Sequence, residues 1–267
     1  MSTTLAQSRH FAYRALLSLW RQPWWIAVTL IQPIVWLVLF GALFKSVTQI
    51  PGFAGDDFTQ FIAPGVIVMT AFFSAGWAGM GLLNDMQAGV VDRFLVTPAS
   101  RSAQLIGRTA QGAVTVIVQS LIIVGLALLL GASFPGGVIG ILVLLLVAVL
   151  LAVAVAALSY ALALASGKEE TVIAVMNFFM LPLTFLSTSF QQKQLMPDWM
   201  QTVTDLNPLN WGIEAARSAT LDVPVDLSAG GGADWGEIGL RAGGLVVLAL
   251  ACLWVTNRAF RAYQRQV

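Results

Sequence analysis

An all-α membrane protein with six transmembrane helices is the fold class this sequence predicts, and three observations predict it. Apolar runs at about 24–44, 61–84, 105–130, 138–165, 171–190 and 236–256 are each long enough to cross a bilayer. A helix rises ~1.5 Å per residue, so ~20 residues cross a ~30 Å hydrocarbon core. The composition agrees, at 58% hydrophobic and 10% charged residues, where soluble domains carry roughly 25% charge. The third observation is the placement of charge. With the amino terminus inside, ten Lys and Arg and four acids fall on the inner side, against four cations and nine acids outside. The inner side therefore sums to +6 and the outer to −5, within a net +1. Retention of Lys and Arg sets topology, so both termini are expected in the cytoplasm. The runs lack the ~10-residue alternation of a barrel strand, which leaves helices as the spanning structure. Residues 1–267 are expected to form a single transmembrane domain.

Each element has its own signal. In 3–22, Gln7, His10, Arg14, Ser18 and Arg21 recur at helical spacing opposite Leu5, Ala12, Leu16, Leu19 and Trp20. That pattern predicts an amphipathic helix lying in the inner interface rather than a cleaved leader. Pro23 turns the chain into the bilayer, with Trp24 and Trp25 at headgroup level. Ala71, Ala75 and Gly79 make a small-residue stripe on the second span, which permits close helix approach. GASFPGG at 131–137 predicts a tight outer turn and SGKEE at 166–170 a tight inner one.

The inner segment 85–104 reads differently. Met86, Val90 and Phe94 share one helical face with Val91 and Leu95 beside it; Thr97 and Pro98 close that helix, and Ser100 caps the next span. A short amphipathic helix between two membrane ends is a docking element or a solvated connector, and spacing alone does not choose. The outer segment 191–235 predicts two short helices, interfacial or re-entrant. One starts at Pro197 with Trp199, Val203 and Leu206 on one side. The other is capped by Asn207-Pro208, with Trp211, Ala215 and Ser218 together. Residues 222–234 read as a Gly-rich loop.

Several function classes are disfavoured. No G-x-x-x-x-G-K-[ST] loop occurs; Gly167-Lys168 is followed by Glu169 with no spaced Gly ahead of it. His10 is the sole histidine, so no H-E-x-x-H zinc site can form and catalysis is not expected. Basic residues are dispersed along membrane ends rather than gathered in a patch, against nucleic-acid binding. Cys252 is the sole cysteine and reads as packing. An ion-coupled secondary transporter usually buries ionisable groups at mid-membrane. Here Asp85, Arg108, Glu237 and Arg241 lie near span ends, and mid-span polar residues such as Gln111, Gln119, Ser159 and Asn177 are amides and hydroxyls. An amphipathic or largely apolar solute is therefore expected over a free ion.

Three strings carry a family resemblance: Gln87-Ala-Gly-Val-Val-Asp-Arg-Phe-Leu-Val-Thr-Pro-Ala-Ser-Arg101, the apolar 177–190 stretch, and Leu195-Met-Pro-Asp-Trp-Met with Leu206-Asn-Pro-Leu. Together with the layout they resemble the membrane subunits of ABC-2 type exporters, within them the daunorubicin-resistance-like permeases. Family members often carry Glu where this chain has Gln87. The resemblance implies a drug or lipid exporter of the bacterial inner membrane, a homodimer or a heterodimer with a similar chain, bound to two copies of a separate ATP-binding subunit. ATP and Mg would sit on that subunit, with no cofactor bound by this chain. It implies a coupling helix that docks on the ATPase through Asp85, Gln87, Val91, Asp92, Arg93, Phe94, Leu95, Pro98 and Arg101. It also implies a substrate path near the dimer centre, by Phe72, Phe73 and Trp77 on the second span and Asn177, Phe178, Phe179 and Phe185 on the fifth. A glycolipid or polysaccharide export permease is the alternative within the family.

Overall fold

A computed structural model describes residues 23–44, 58–87, 101–225 and 231–263, with the side chains of 23–27, 101–106 and 263 outside the description. The described residues are mostly helical, and no strand occurs among them. The helices are α1 (Pro23–Leu43), α2 (Phe58–Gly76), α3 (Ala78–Gln87), α4 (Arg101–Leu129), α5 (Gly137–Ser166), α6 (Glu169–Phe185), α7 (Asp198–Leu206), α8 (Pro208–Leu221) and α9 (Trp235–Tyr263). A 3-10 turn at Lys193–Leu195 precedes α7. The expected interfacial helix at 3–22 lies outside the described residues.

Four stretches are long and apolar enough to cross a membrane: Phe58–Gln87, Gly107–Leu129, Gly137–Ser166 and Trp235–Ala262. Of the two other expected spans, α1 is a 21-residue helix whose first five side chains lie outside the description. α1 offers the apolar stretch Val28–Leu43, and α6 is 17 residues long and opens on Glu169 and Glu170. The fifth apolar run was expected to stay helical to residue 190, yet α6 ends at Phe185. Pro182 has no N–H for the preceding turn, Leu186 N–H closes the last bond on the Pro182 carbonyl at 2.8 Å, and Ser187 to Ser189 then leave the helix.

α2 is the central post. All of its residues except Gln60, Phe73 and Ser74 are buried, and α1, α4, α5 and α8 pack around it. α5 is the second post, against which α9, α8, α4 and α3 lie. Their outward faces keep large apolar side chains exposed, among them Leu129, Val138, Ile139, Leu240 and Val247, as suits helices solvated by lipid.

The second apolar run is not one straight helix. It breaks at Trp77, where the bond from Trp77 N–H to the Phe73 carbonyl stretches to 3.4 Å and Met80 N–H bonds back to Trp77 at 3.1 Å. In a continuous helix Gly79 N–H would reach Ala75 and the Gly76 carbonyl would receive Met80. Instead Gly79 N–H donates to Ser159 Oγ at 2.9 Å and Ser159 Oγ donates to the Gly76 carbonyl at 2.6 Å. One hydroxyl on α5 thus replaces both missing ladder partners. The small-residue stripe explains why α5 comes so close: Ala71 and Ala75 are buried, and a Cβ on Gly79 would stand 2.5 Å from the Ser159 carbonyl oxygen.

Candidate functional site

Two regions of the bundle hold chemistry that a simple apolar packing would not need. The first lies where α3 runs into the inner loop. Asp85 forms an ion pair and hydrogen bond with Arg108 on α4, both part-exposed. Gln87 is exposed at the end of α3. Val91, Asp92, Arg93, Phe94, Leu95 and Pro98 lie outside the described residues; Arg101 opens α4 with its side chain undescribed. Above the ion pair is a cavity of about 30 Å³, bounded by Ser74 and Ala78 beside the helix break, Arg108 and Gly112 on α4, and Ala156 and Tyr160 on α5. It has room for a water rather than a drug-sized ligand.

The second region is the seat of α8. This helix was expected to lie at, or dip into, the outer leaflet, and all its residues from Leu209 on except Trp211 are buried. Most of its polar groups find partners inside the bundle, while Asn210 Nδ2 and Glu214 Oε2 make no hydrogen bond among the described residues. Asn207 caps the helix by accepting Leu209 N–H at 3.0 Å, while its amide donates to the Leu183 and Leu186 carbonyls at the end of α6, both at 2.7 Å. Asn210 Oδ1 accepts from the backbone N–H and the hydroxyl of Thr188, at 2.9 and 2.7 Å. The Arg217 guanidinium donates to the Thr188 carbonyl at 2.6 Å, the Thr188 hydroxyl at 3.2 Å and the Phe61 carbonyl at 3.2 Å. It also lies 3.9 Å from the centre of the Phe61 ring. Burial lowers its pKa to about 10, opposed by the charge of Glu214, so it stays a cation at neutral pH. Glu214 in turn sits 2.6 Å from Arg241 on α9. A buried charge needs a partner: Arg217 is hydrogen-bonded to Thr188 and Phe61, and Glu214 is ion-paired with Arg241.

α8 also sets its depth. Its Gly212 leaves space filled by Val68, Leu151 and Leu245; Leu151 lies 14 residues into α5, about 21 Å along the helix. At the other end the Ala219 carbonyl nests on Gly136 and Gly140, where added Cβ atoms would stand 1.8 and 2.3 Å from its oxygen. Gly136 N–H bonds to the Thr220 carbonyl at 2.9 Å. α7 is the opposite case, with Trp199, Val203 and Leu206 exposed as the sequence spacing grouped them.

An aromatic run ties this seat to α1. Trp36 stacks on Phe190 at 4.8 Å, Phe190 meets Phe40, and Phe40, Phe44, Phe58 and Phe61 follow at 5.4 to 6.1 Å. Sequence reading singled out other aromatics, and the structure divides them. Phe72 is buried in the core and meets Phe73 edge-on at 5.9 Å, while Trp77 is part-exposed at the break. Phe178, Phe179 and Phe185 point away from the bundle, with Asn177 half-buried beside them. α6 instead approaches α2 through Met176 and Met180, packed against Gly76. The two sets do not meet within one chain. Glu214, Arg217, Thr188 and Asn210 escaped the sequence reading as a cluster, since their partners are far apart in the chain.

Residues 6–221 match the ABC-2 type transporter family. Among curated proteins, the chain is 30% identical over 205 residues to a transport permease named ycf38 from Porphyra purpurea, covering 76% of this chain and 70% of that one. It is 32% identical over 205 residues to the ycf38 protein of Cyanophora paradoxa, with the same coverage. It is 28% identical over 218 residues to the daunorubicin resistance ABC transporter permease protein DrrB1 of Streptomyces coeruleorubidus, covering 81% and 75%. Helices long and apolar enough to cross a membrane, a close-packed bundle and this match agree: the chain belongs to the ABC-2 type transporter family.

Proposed function

We infer that this chain is the permease subunit of an ATP-driven exporter that moves amphipathic or hydrophobic compounds, drug-like or lipid, out of a bacterial cell. Family membership carries the reading, because the match extends over most of the chain and includes relatives named for daunorubicin and doxorubicin resistance. ATP hydrolysis then belongs to a separate ATP-binding subunit, present in two copies and holding ATP and Mg, since this sequence has no phosphate-binding loop. The segment from Asp85 to Arg101 docks on it, with Phe94 and Leu95 as the apolar contact.

In this reading α1 and α6 join the four long stretches as spans, and both termini face the cytoplasm of the inner membrane. α7 and α8 enter the bilayer from outside as a re-entrant pair. The support is the contact of Gly212 with Leu151, well down α5. A second copy of the chain completes the path, and the exposed Phe178, Phe179 and Phe185 on α6 are the surface it would share with that copy and with lipid. Glycolipid or polysaccharide export remains the alternative within the family. An ion-coupled transporter draws on one observation, the buried Glu214 and Arg217 with the part-buried Arg241; their mutual pairing suits anchorage better than ion transit.

Inside-out vesicles holding the chain and its ATPase test the reading, with daunorubicin as probe and a glycolipid as the second substrate. ATP-dependent uptake of either supports an exporter. Uptake that follows an imposed ion gradient without ATP contradicts it.

A further inference from the structure

We propose that α3 is a lever that turns at the Gly76–Gly79 break on the Ser159 hydroxyl, into the cavity beside α4, and so carries the ATPase stroke into the bundle. This rests on the exporter reading above and adds to it a pivot, a positioning residue and a direction.

Four observations converge. The chain between α2 and α3 has lost two bonds of the helix ladder at the break, and Ser159 Oγ supplies both substitutes, one as acceptor from Gly79 and one as donor to Gly76. A single hydroxyl that accepts and donates at once can rotate with the backbone groups it serves, where a ladder of helix bonds cannot. The joint is also lubricated on its other side. Met176 and Met180 are the side chains packed at Gly76, and unbranched thioether chains adapt to a changed shape at small cost.

Next, α3 is short and is buried along one side only. It has ten residues, of which Gly79, Leu82 and Leu83 are buried, and its outer corners at Gly81 and Asn84 are exposed. Its far end continues directly into the inner loop. There Asp85 is bound to Arg108 on α4, a part-exposed pair that holds the lever at rest and can exchange for water at low cost.

The last observation is the room. Packed interiors hold few voids, yet a water-sized one of about 30 Å³ lies between the break and α4, bounded by Ser74, Ala78, Arg108, Gly112, Ala156 and Tyr160. A Cβ on Gly112 would meet nothing within 4 Å. The wall facing the lever is therefore empty, and the opposite face of the break is closed by Ser159.

The test measures the motion itself and needs no knowledge of the transported compound. Nitroxide labels at Asn84 on α3 and Lys168 in the α5–α6 turn, in a Cys252→Ser background, report their separation by pulsed electron spin resonance. The chain is studied in its complex with the ATPase subunit, first without nucleotide and then trapped with ADP and vanadate. The lever predicts a shift of several ångströms on trapping. Gly112→Leu extends a side chain toward the cavity from a position where its Cβ meets nothing within 4 Å, and should reduce that shift at least threefold while the ATPase stays bound. Ser159→Ala should broaden the separation in both states, and Ser159→Thr, which keeps the hydroxyl, should restore a narrow one. An unchanged separation on trapping, or an equal shift in Gly112→Leu, overturns the lever. Failure of any ATPase to bind the unmodified chain is a different result, since it removes the exporter reading itself.

Discussion

Arg217 offers the sharpest test of how α8 is held. Replacing it with Met keeps the length and much of the apolar stem but removes every N–H that faces Phe61 and Thr188. The Thr188 carbonyl, 2.6 Å from the guanidinium, is left without that donor in a buried setting, which costs about 1–3 kcal/mol. Loss of the cation over the Phe61 ring, 3.9 Å away, removes roughly 0.5–2 kcal/mol more. The Phe61 carbonyl lies within α2 and adds little. Desolvation of the arginine, no longer required, offsets part of this. The net is a loss of about 2–3 kcal/mol. For a domain of this size that is a fall in Tm of roughly 5–10 °C, readable by thermal unfolding in detergent followed by size exclusion. A double-mutant cycle with Thr188→Ala should return a coupling of about 1 kcal/mol or more, because the two residues share one network. A Tm change under about 2 °C, or additive effects in the cycle, would refute the reasoning.

Other outcomes follow from the same packing. Gly140→Leu places a side chain where the Ala219 carbonyl already sits, so the variant should fail to accumulate as a monodisperse protein, while Gly125→Ala, at an open position on α4, should be neutral or slightly stabilising. Asn207→Ala loses a helix cap and the donor to two carbonyls of α6, and should lower stability by about 2–4 kcal/mol by the same unfolding assay. Trp199 is exposed on α7 while Trp211 is half-buried and donates to the Asp205 carbonyl at 2.6 Å. A collisional quencher in the outer aqueous phase or the outer leaflet should reach Trp199 several-fold faster.

Much of the bundle was legible because apolar length is a local property. The cores of α4, α5 and α9 fall within the expected runs, and Asn207-Pro208 announced its own cap. What stayed hidden depends on partners distant in the chain. Nothing near Gly76 and Gly79 signals a break, since the hydroxyl that permits it belongs to Ser159, 80 residues beyond Gly79. The polar residues of α8 show no partners in the sequence until Thr188, Phe61 and Arg241 are placed around them; Phe61 is 156 residues from Arg217. The aromatic candidates were chosen by span, and a helix shows its period but not its azimuth. Phe178 and Phe179 therefore share a helix with the buried Met180 and still face outward.

The most direct measurement is affinity purification of this chain in mild detergent, with its companions identified and ATP hydrolysis assayed. The exporter account predicts recovery of a separate P-loop ATPase and vanadate-sensitive hydrolysis, with Phe94→Asp losing the ATPase while remaining folded and inserted. Recovery of the chain alone, with transport driven by an ion gradient, would contradict it.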